Sequence, residues 1–212
     1  MAIVKREGSA RARLLAAANE LFYEEGVHTV GIDRVIERAG VAKASLYSTF
    51  GSKEELVCAY LQARAEERQR RISAVIANHQ DARARILALY DYLGERTADP
   101  AYRGCAFINA TAEGPRGASK VVEVCNRSRG WLRGLFVELA RDAGARDPDR
   151  LGRQLVMLYD GAAVAASMER DLDAAGRARA MATDLLDAQT SDDAGKPSAK
   201  KVAAKRSVRA TK

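Results

Sequence analysis

The sequence predicts an all-α protein, on three observations. Apolar residues recur at helical spacing through most of the chain, and no strand-like alternation of any length interrupts them. Aromatic residues make up only 6% of a chain that is 47% hydrophobic, and its wealth of Ala, Leu and Arg suits helices. The most telling stretch is 31–50, where two short helices flank a glycine turn, the arrangement that can place a helix in a DNA major groove. At 212 residues the chain can form one or two small domains with a sizeable core.

Taken in order, Leu14, Leu15, Ala18, Leu21 and Phe22 make an amphipathic first helix that stops at Gly26. In the second, Ile32, Val35, Ile36 and Ala39 face a core, while Asp33, Arg34, Glu37 and Arg38 face water. Gly40 ends that helix in a left-handed conformation, and Val41 plugs the corner. Within the third, Leu46 and Phe50 point inward with Ala42 beside them; Ala44 and Ser48 point away, flanked by Ser45 and Tyr47. At roughly two turns, about 12 Å, it suits a groove about 12 Å wide better than it suits building a core. Ser52-Lys-Glu-Glu55 has the form of a capping box, so a fourth helix starts there and runs past Gln62 and Arg71 toward Ile76. Lys53 at its amino end opposes the helix dipole, a cost that a bound phosphate would offset.

Ala82 to Leu93, with Ile86, Leu87, Leu89 and Tyr90 on its apolar face, predicts a helix ending at Gly94. Asp99-Pro100 and Glu113-Gly-Pro-Arg-Gly117 are breaks around an apolar segment, 103–113. Two long helices follow, divided at Asp147-Pro148-Asp149. One presents Val121, Val124, Cys125, Ser128, Trp131, Leu132, Leu135, Phe136 and Leu139; the other presents Leu151, Leu155, Leu158, Tyr159, Ala162 and Ala166. Small residues at Gly161, Ala162, Ala165 and Ala166 allow close approach, so these faces are expected to form an intersubunit four-helix bundle. The alternative is that both pack within one chain. Paired half-site reading favours the homodimer.

The run Ala39-Gly-Val-Ala-Lys-Ala-Ser-Leu-Tyr47 followed by Phe50-Gly-Ser-Lys-Glu-Glu-Leu56 resembles the signature of the TetR/AcrR family of bacterial transcriptional regulators, over about the first quarter of the chain. The resemblance implies an amino-terminal three-helix helix-turn-helix domain, residues 1–55, joined to a helical ligand-binding and dimerisation domain, residues 56–190. It implies a homodimer on double-stranded operator DNA, most often a repressor released by a small-molecule effector. By position, Lys43, Ala44, Ser45 and Ser48 would approach bases or phosphates, Tyr47 the sugar-phosphate backbone, and Lys53 a phosphate. Gly31 and Ala42 stand where the family often has Ser or Thr caps, and Ser48 and Thr49 where it often has aromatic residues or His. The third helix offers no Arg, Asn or Gln for bidentate base pairing, so selectivity would come from Lys43, small-residue fit and DNA shape. A pocket is expected among Tyr90, Cys105, Phe107, Asn109, Trp131 and Tyr159, aromatic or polar residues that interrupt apolar helices.

The net charge of +7 is matched by seven Lys and Arg residues after Asp193, so the body before them is neutral overall. Residues 191–212 read as a basic disordered tail, either a solvated end or an electrostatic arm for the DNA backbone. With little sequence preference, such an arm would make the protein an architectural DNA binder, the alternative to an operator-specific regulator. His28 and His79 belong to no metal-ligand spacing, and Cys58, Cys105 and Cys125 form no Cys-x-x-Cys pair, so no metal, cofactor or enzymatic activity is expected. The amino terminus is too short and charged for a signal peptide, and no apolar run reaches the roughly 18 residues of a membrane span, so a cytoplasmic protein without a membrane partner is expected.

Overall fold

Side-chain caps set where most of the helices begin. The computed structural model describes residues 8–113 and 119–190, which form nine helices and no strand. They are α1 (Ala10–Glu25), α2 (Ile32–Ala39), α3 (Lys43–Phe50), α4 (Lys53–Ala77), α5 (Ala82–Ala98), α6 (Ala106–Glu113), α7 (Lys120–Asp142), α8 (Pro148–Met168) and α9 (Ala174–Thr190). Ser9, Ser52, Asp81, Ser119 and Asp147 each accept a bond from a first-turn N–H of α1, α4, α5, α7 and α8 respectively. By contrast, Gly31 and Ala42 leave α2 and α3 without a side-chain cap. The tail expected at 191–212 lies outside the described residues.

Two apolar clusters organise the chain. The body cluster joins α5, α7, α8 and α9 with Ile72 of α4 around Tyr90, Phe136 and Tyr159, whose ring centroids lie 5.9–6.1 Å apart. The Tyr90 hydroxyl donates to the Leu155 carbonyl at 2.7 Å, so this buried ring leaves no unsatisfied donor. The head cluster holds Leu14, Ala18, Phe22, Val35 and Leu46 of α1–α3 and is completed by Leu56, Tyr60 and Leu61 of α4, Phe107 and Ala110 of α6, and Val124 and Cys125 of α7. None of the described helices is long and apolar enough to cross a membrane.

Several expectations are corrected here. Gly94 does not end α5, which continues to Ala98; it sits mid-helix facing α9, with Ala175 Cβ at an ordinary contact distance of 3.6 Å from where a side chain would begin. Ala42 is exposed at the N-cap of α3 rather than turned inward, because the chain enters the helix extended there. The capping box is half made: Ser52 caps the Glu55 N–H at 3.1 Å, but the Glu55 carboxylate pairs with Lys120. Most notably, the two faces assigned to a dimer interface pack within one chain, since α7 lies along α8 and buries Phe136, Leu155 and Tyr159 between them. After them comes a helix whose inward stripe is mostly alanine, Ala174, Ala178, Ala182 and Leu186, tied to α5 by Arg83–Asp187 and Arg179–Asp91 ion pairs.

Among the described glycines, Gly152 of α8 has the least room, against α7. A Cβ at 152 would sit 2.5 Å from Val137 Cγ2 and 2.7 Å from the Val137 backbone. Gly152→Ala should therefore lower stability by about 1–3 kcal/mol through overpacking. Gly130→Ala on α7, with nothing within 4 Å, should leave stability unchanged or raise it by up to about 1 kcal/mol. Thermal unfolding of both variants checks this; equal melting temperatures would mean that α7 and α8 are not held at this distance.

Candidate DNA interface and cavity

The turn between α2 and α3 is built from the backbone outward. Gly40 takes φ 62° and ψ 46°, its N–H bonds Glu37 O and the Val41 N–H bonds Ile36 O, which closes α2. Arg13 of α1 holds the Gly40 carbonyl at 3.1 Å. Ion pairs Arg34–Glu25 and Arg38–Glu20 fasten α2 to α1, so these two arginines are engaged at the back of the unit. Leu46 is fully buried beneath α3. The outward face of α3 carries little structural duty.

On that face Lys43, Ala44, Tyr47 and Ser48 are exposed, with the Tyr47 ring at 46%. Ser45 is half-buried, and its carbonyl accepts from Thr49 Oγ1 at 2.6 Å and from Ser48 Oγ at 3.2 Å. Lys43 Nζ lies 2.9 Å from Asp33 Oδ1; that hydrogen bond, with the charge of Asp33, raises the lysine's pKa. Asp33, expected only as a solvent-facing residue of α2, neutralises Lys43, the one basic side chain on that face of α3. A phosphate approaching Lys43 must compete with it. Lys53 stands at the amino end of α4, half-buried, with Nζ 3.5 Å from the His28 carbonyl; burial lowers its pKa, and the charge of Glu113 works against that.

Above the head, a cavity of about 520 Å³ opens along the seam with the body, walled by parts of α1, α4, α5, α6 and α8. Of the six pocket residues expected from sequence, Cys105, Phe107 and Tyr159 line it. Tyr90 lies in the body core, Asn109 donates to the Arg103 carbonyl at 2.9 Å, and Trp131 packs against the body core. Sequence reasoning missed Tyr60, Arg64 and Arg68, although their spacing of four places them on one face of α4. It also missed Tyr23, Tyr102 and Asp160. Burial pushes the Tyr60 hydroxyl up to about 12 and raises those of Tyr102 and Tyr159 as well, so these walls are uncharged at neutral pH. The Cys58 and Cys125 thiols are raised by burial too, which keeps them protonated. No group of three or more His, Cys, Asp or Glu among the described residues could hold a metal ion.

The head is latched to the body around this cavity. Arg64 lies over the Tyr23 ring at 3.7 Å and bonds Asn19 Oδ1 at 2.9 Å, joining α4 to α1. The Tyr23 hydroxyl donates to Gly104 O at 3.1 Å and accepts from Arg103 N at 3.0 Å, joining α1 to the segment before α6. At the far end of α6, Glu113 accepts from the His28 N–H at 3.0 Å. Both ends of α6 therefore touch the head.

Residues 14–60 match the family model described as bacterial regulatory proteins, tetR family. The chain is 34% identical to a TetR-family transcriptional regulator from Streptomyces coelicolor of known structure, covering 86% of this chain and 96% of that one with a TM-score of 0.81. It is 32% identical to a putative regulator of the same kind from Streptomyces avermitilis, covering 86% and 98% at a TM-score of 0.75. The HTH-type transcriptional activator FasR of Mycolicibacterium smegmatis is 32% identical over 141 residues, which are 63% of this chain and 60% of that protein's length.

The latch can be weighed directly. Tyr23→Phe removes a hydroxyl that both donates and accepts across the seam, while the ring under Arg64 remains. Stability should fall by about 1 kcal/mol, read as a lower denaturation midpoint. An unchanged midpoint would show that the hydroxyl exchanges its partners for water at no cost.

Proposed function

The chain belongs to the TetR family of bacterial regulatory proteins, and from that premise we propose that it is a dimeric, operator-binding transcriptional regulator that leaves DNA when a small molecule fills the seam cavity. The observation that carries this reading is the outward face of α3, held rigidly from behind and left free of packing duty. Lys43, Ala44, Ser45, Tyr47 and Ser48 form that reading face, and Lys53 supplies a phosphate contact from the next helix. The uncapped amino ends of α2 and α3 support it, since first-turn N–H groups without a side-chain partner suit phosphate oxygens. With no bidentate base reader on α3, selectivity rests on Lys43, on the close fit of Ala44 and Ser48, and on the shape of the groove.

Two copies meet, in this proposal, through the outer faces of α8 and α9. Met157, Gly161, Ala165 and Met168 follow one side of α8, with Met157 and Met168 exposed at 68% and 79%, and Met181 of α9 is exposed at 54%. Exposed methionine beside small residues is a surface that a second helix pair would cover. The dimer must hold two α3 helices about 34 Å apart to meet successive major grooves. A ligand in the cavity touches Tyr23 of the head and the α6 segment bonded to it, and so favours a head position that breaks this spacing. By linkage, operator DNA must weaken the ligand by the same factor. Where the operator overlaps a promoter, this release makes the protein a repressor. Nothing among the described residues favours the architectural alternative, which rested on the tail.

The test is a footprinted duplex titrated at several salt concentrations. Lys53→Ala should weaken binding to all site variants alike and reduce the salt dependence by about one phosphate contact per half-site. Ala44→Gln should change which variants bind while leaving the melting temperature unaltered. Loss at a single base position for Lys53→Ala, or unfolding of Ala44→Gln, would overturn the assignment of the reading face.

A further inference from the structure

The charge arrangement inside the seam cavity specifies a ligand class. Arg68 of α4 lies over the Phe107 ring at 4.6 Å, and one of its terminal nitrogens bonds both the Ser128 carbonyl at 2.8 Å and the Ser128 hydroxyl at 2.6 Å. Its Nε is shut off from water and has no acceptor. The guanidinium is thus oriented before any ligand arrives, with one buried donor unspent. The nearby carboxylate, Asp160, is 2.7 Å from Arg129, so one negative charge serves two guanidiniums, and Arg64, bonded to Asn19 rather than to an acid, adds positive charge to the wall without a counter-charge. The other acidic groups of the wall do not supply it. Glu20 is paired with Arg38 and Glu67 with Arg70 and Arg71, while Glu24 and Asp99 sit exposed to water.

Phe107, Tyr60, Tyr102 and Tyr159 give the wall flat, uncharged patches, with Phe107 beneath Arg68 itself. We propose that the cavity binds an organic acid, a carboxylate on a flat aromatic body, the carboxylate meeting Arg68 and the ring lying among the tyrosines. A carboxylate accepts from guanidinium with charge-assisted bonds, and its plane matches the planar fork that Arg68 presents. A cavity of about 520 Å³ is of the size that takes small organic ligands. The inference rests on the reading of this cavity as the effector site.

The probes are 2-naphthoate and its uncharged isostere 2-naphthamide, titrated calorimetrically into the full-length protein. The acid should bind saturably and at least about tenfold more tightly than the amide, and Arg68→Gln should erase that preference by weakening the acid alone. Arg68→Lys, which keeps the charge but loses the fork, should retain part of it. Equal binding of acid and amide to the wild type, no saturable binding of the acid at millimolar concentration, or a preference that survives Arg68→Gln would each overturn the proposal. The wild-type comparison stands even if a variant fails to fold. Naphthoate that binds in this Arg68-dependent way yet leaves affinity for the footprinted duplex unchanged would establish the ligand class and sink the effector reading.

Discussion

Two eight-residue helices and one of sixteen present too little apolar surface to close a core by themselves, because small units bury too small a fraction of their area. The reading head therefore borrows. Tyr60 of α4 meets Phe22 edge to face at 5.6 Å, and Phe107 and Ala110 of α6, with Val124 and Cys125 of α7, complete the cluster. Much else follows from this shared core. It makes α4 a common strut, it fixes α6 against the head, and it leaves an imperfectly filled seam where the head and body clusters meet, which is where the cavity lies. A molecule placed there would touch the borrowed Tyr60 and Phe107 directly.

Electrostatics are divided in a way that fits the same plan. Glutamates on α1 hold Arg34 and Arg38 at the back of the helix-turn-helix, and Asp33 holds Lys43 at its front. Exposed pairs of this kind contribute little to stability and are screened by salt. Their effect is on availability: the rear arginines are engaged, and Lys43 is held by Asp33, which any other anion would have to displace. Inside the cavity the balance is reversed, with guanidiniums outnumbering the carboxylate they share.

Legibility in the sequence followed the strength of local signals. Gly40 between two short apolar stripes, the caps Ser52 and Asp147-Pro148, and the stripe of Leu14, Ala18 and Phe22 each determine a local structure without help from distant residues, so the head and α4 were readable. The α9 helix was not singled out because alanines at 174, 178 and 182 carry almost no hydrophobic contrast. Gly94 misled because a glycine is written the same way whether it ends a helix or is carried through its interior. The faces of α7 and α8 were visible as apolar stripes, but periodicity cannot say whether the covering surface belongs to the same chain. At the cavity, Phe107 and Tyr159 stood out as aromatic interruptions of apolar helices. Arg64 and Arg68 did not, since arginines at a spacing of four on a long helix ordinarily face water.

The claim that the head completes its core with residues of α4, α6 and α7 is tested most directly by native-state hydrogen exchange in rising denaturant on the intact protein. The account predicts that amides of α1 under Phe22 and amides of α6 around Phe107 lose protection in one common opening, with the same denaturant dependence. An opening that releases α1–α3 while α6 stays protected would contradict it, and would make the head an independent domain merely tethered to the body.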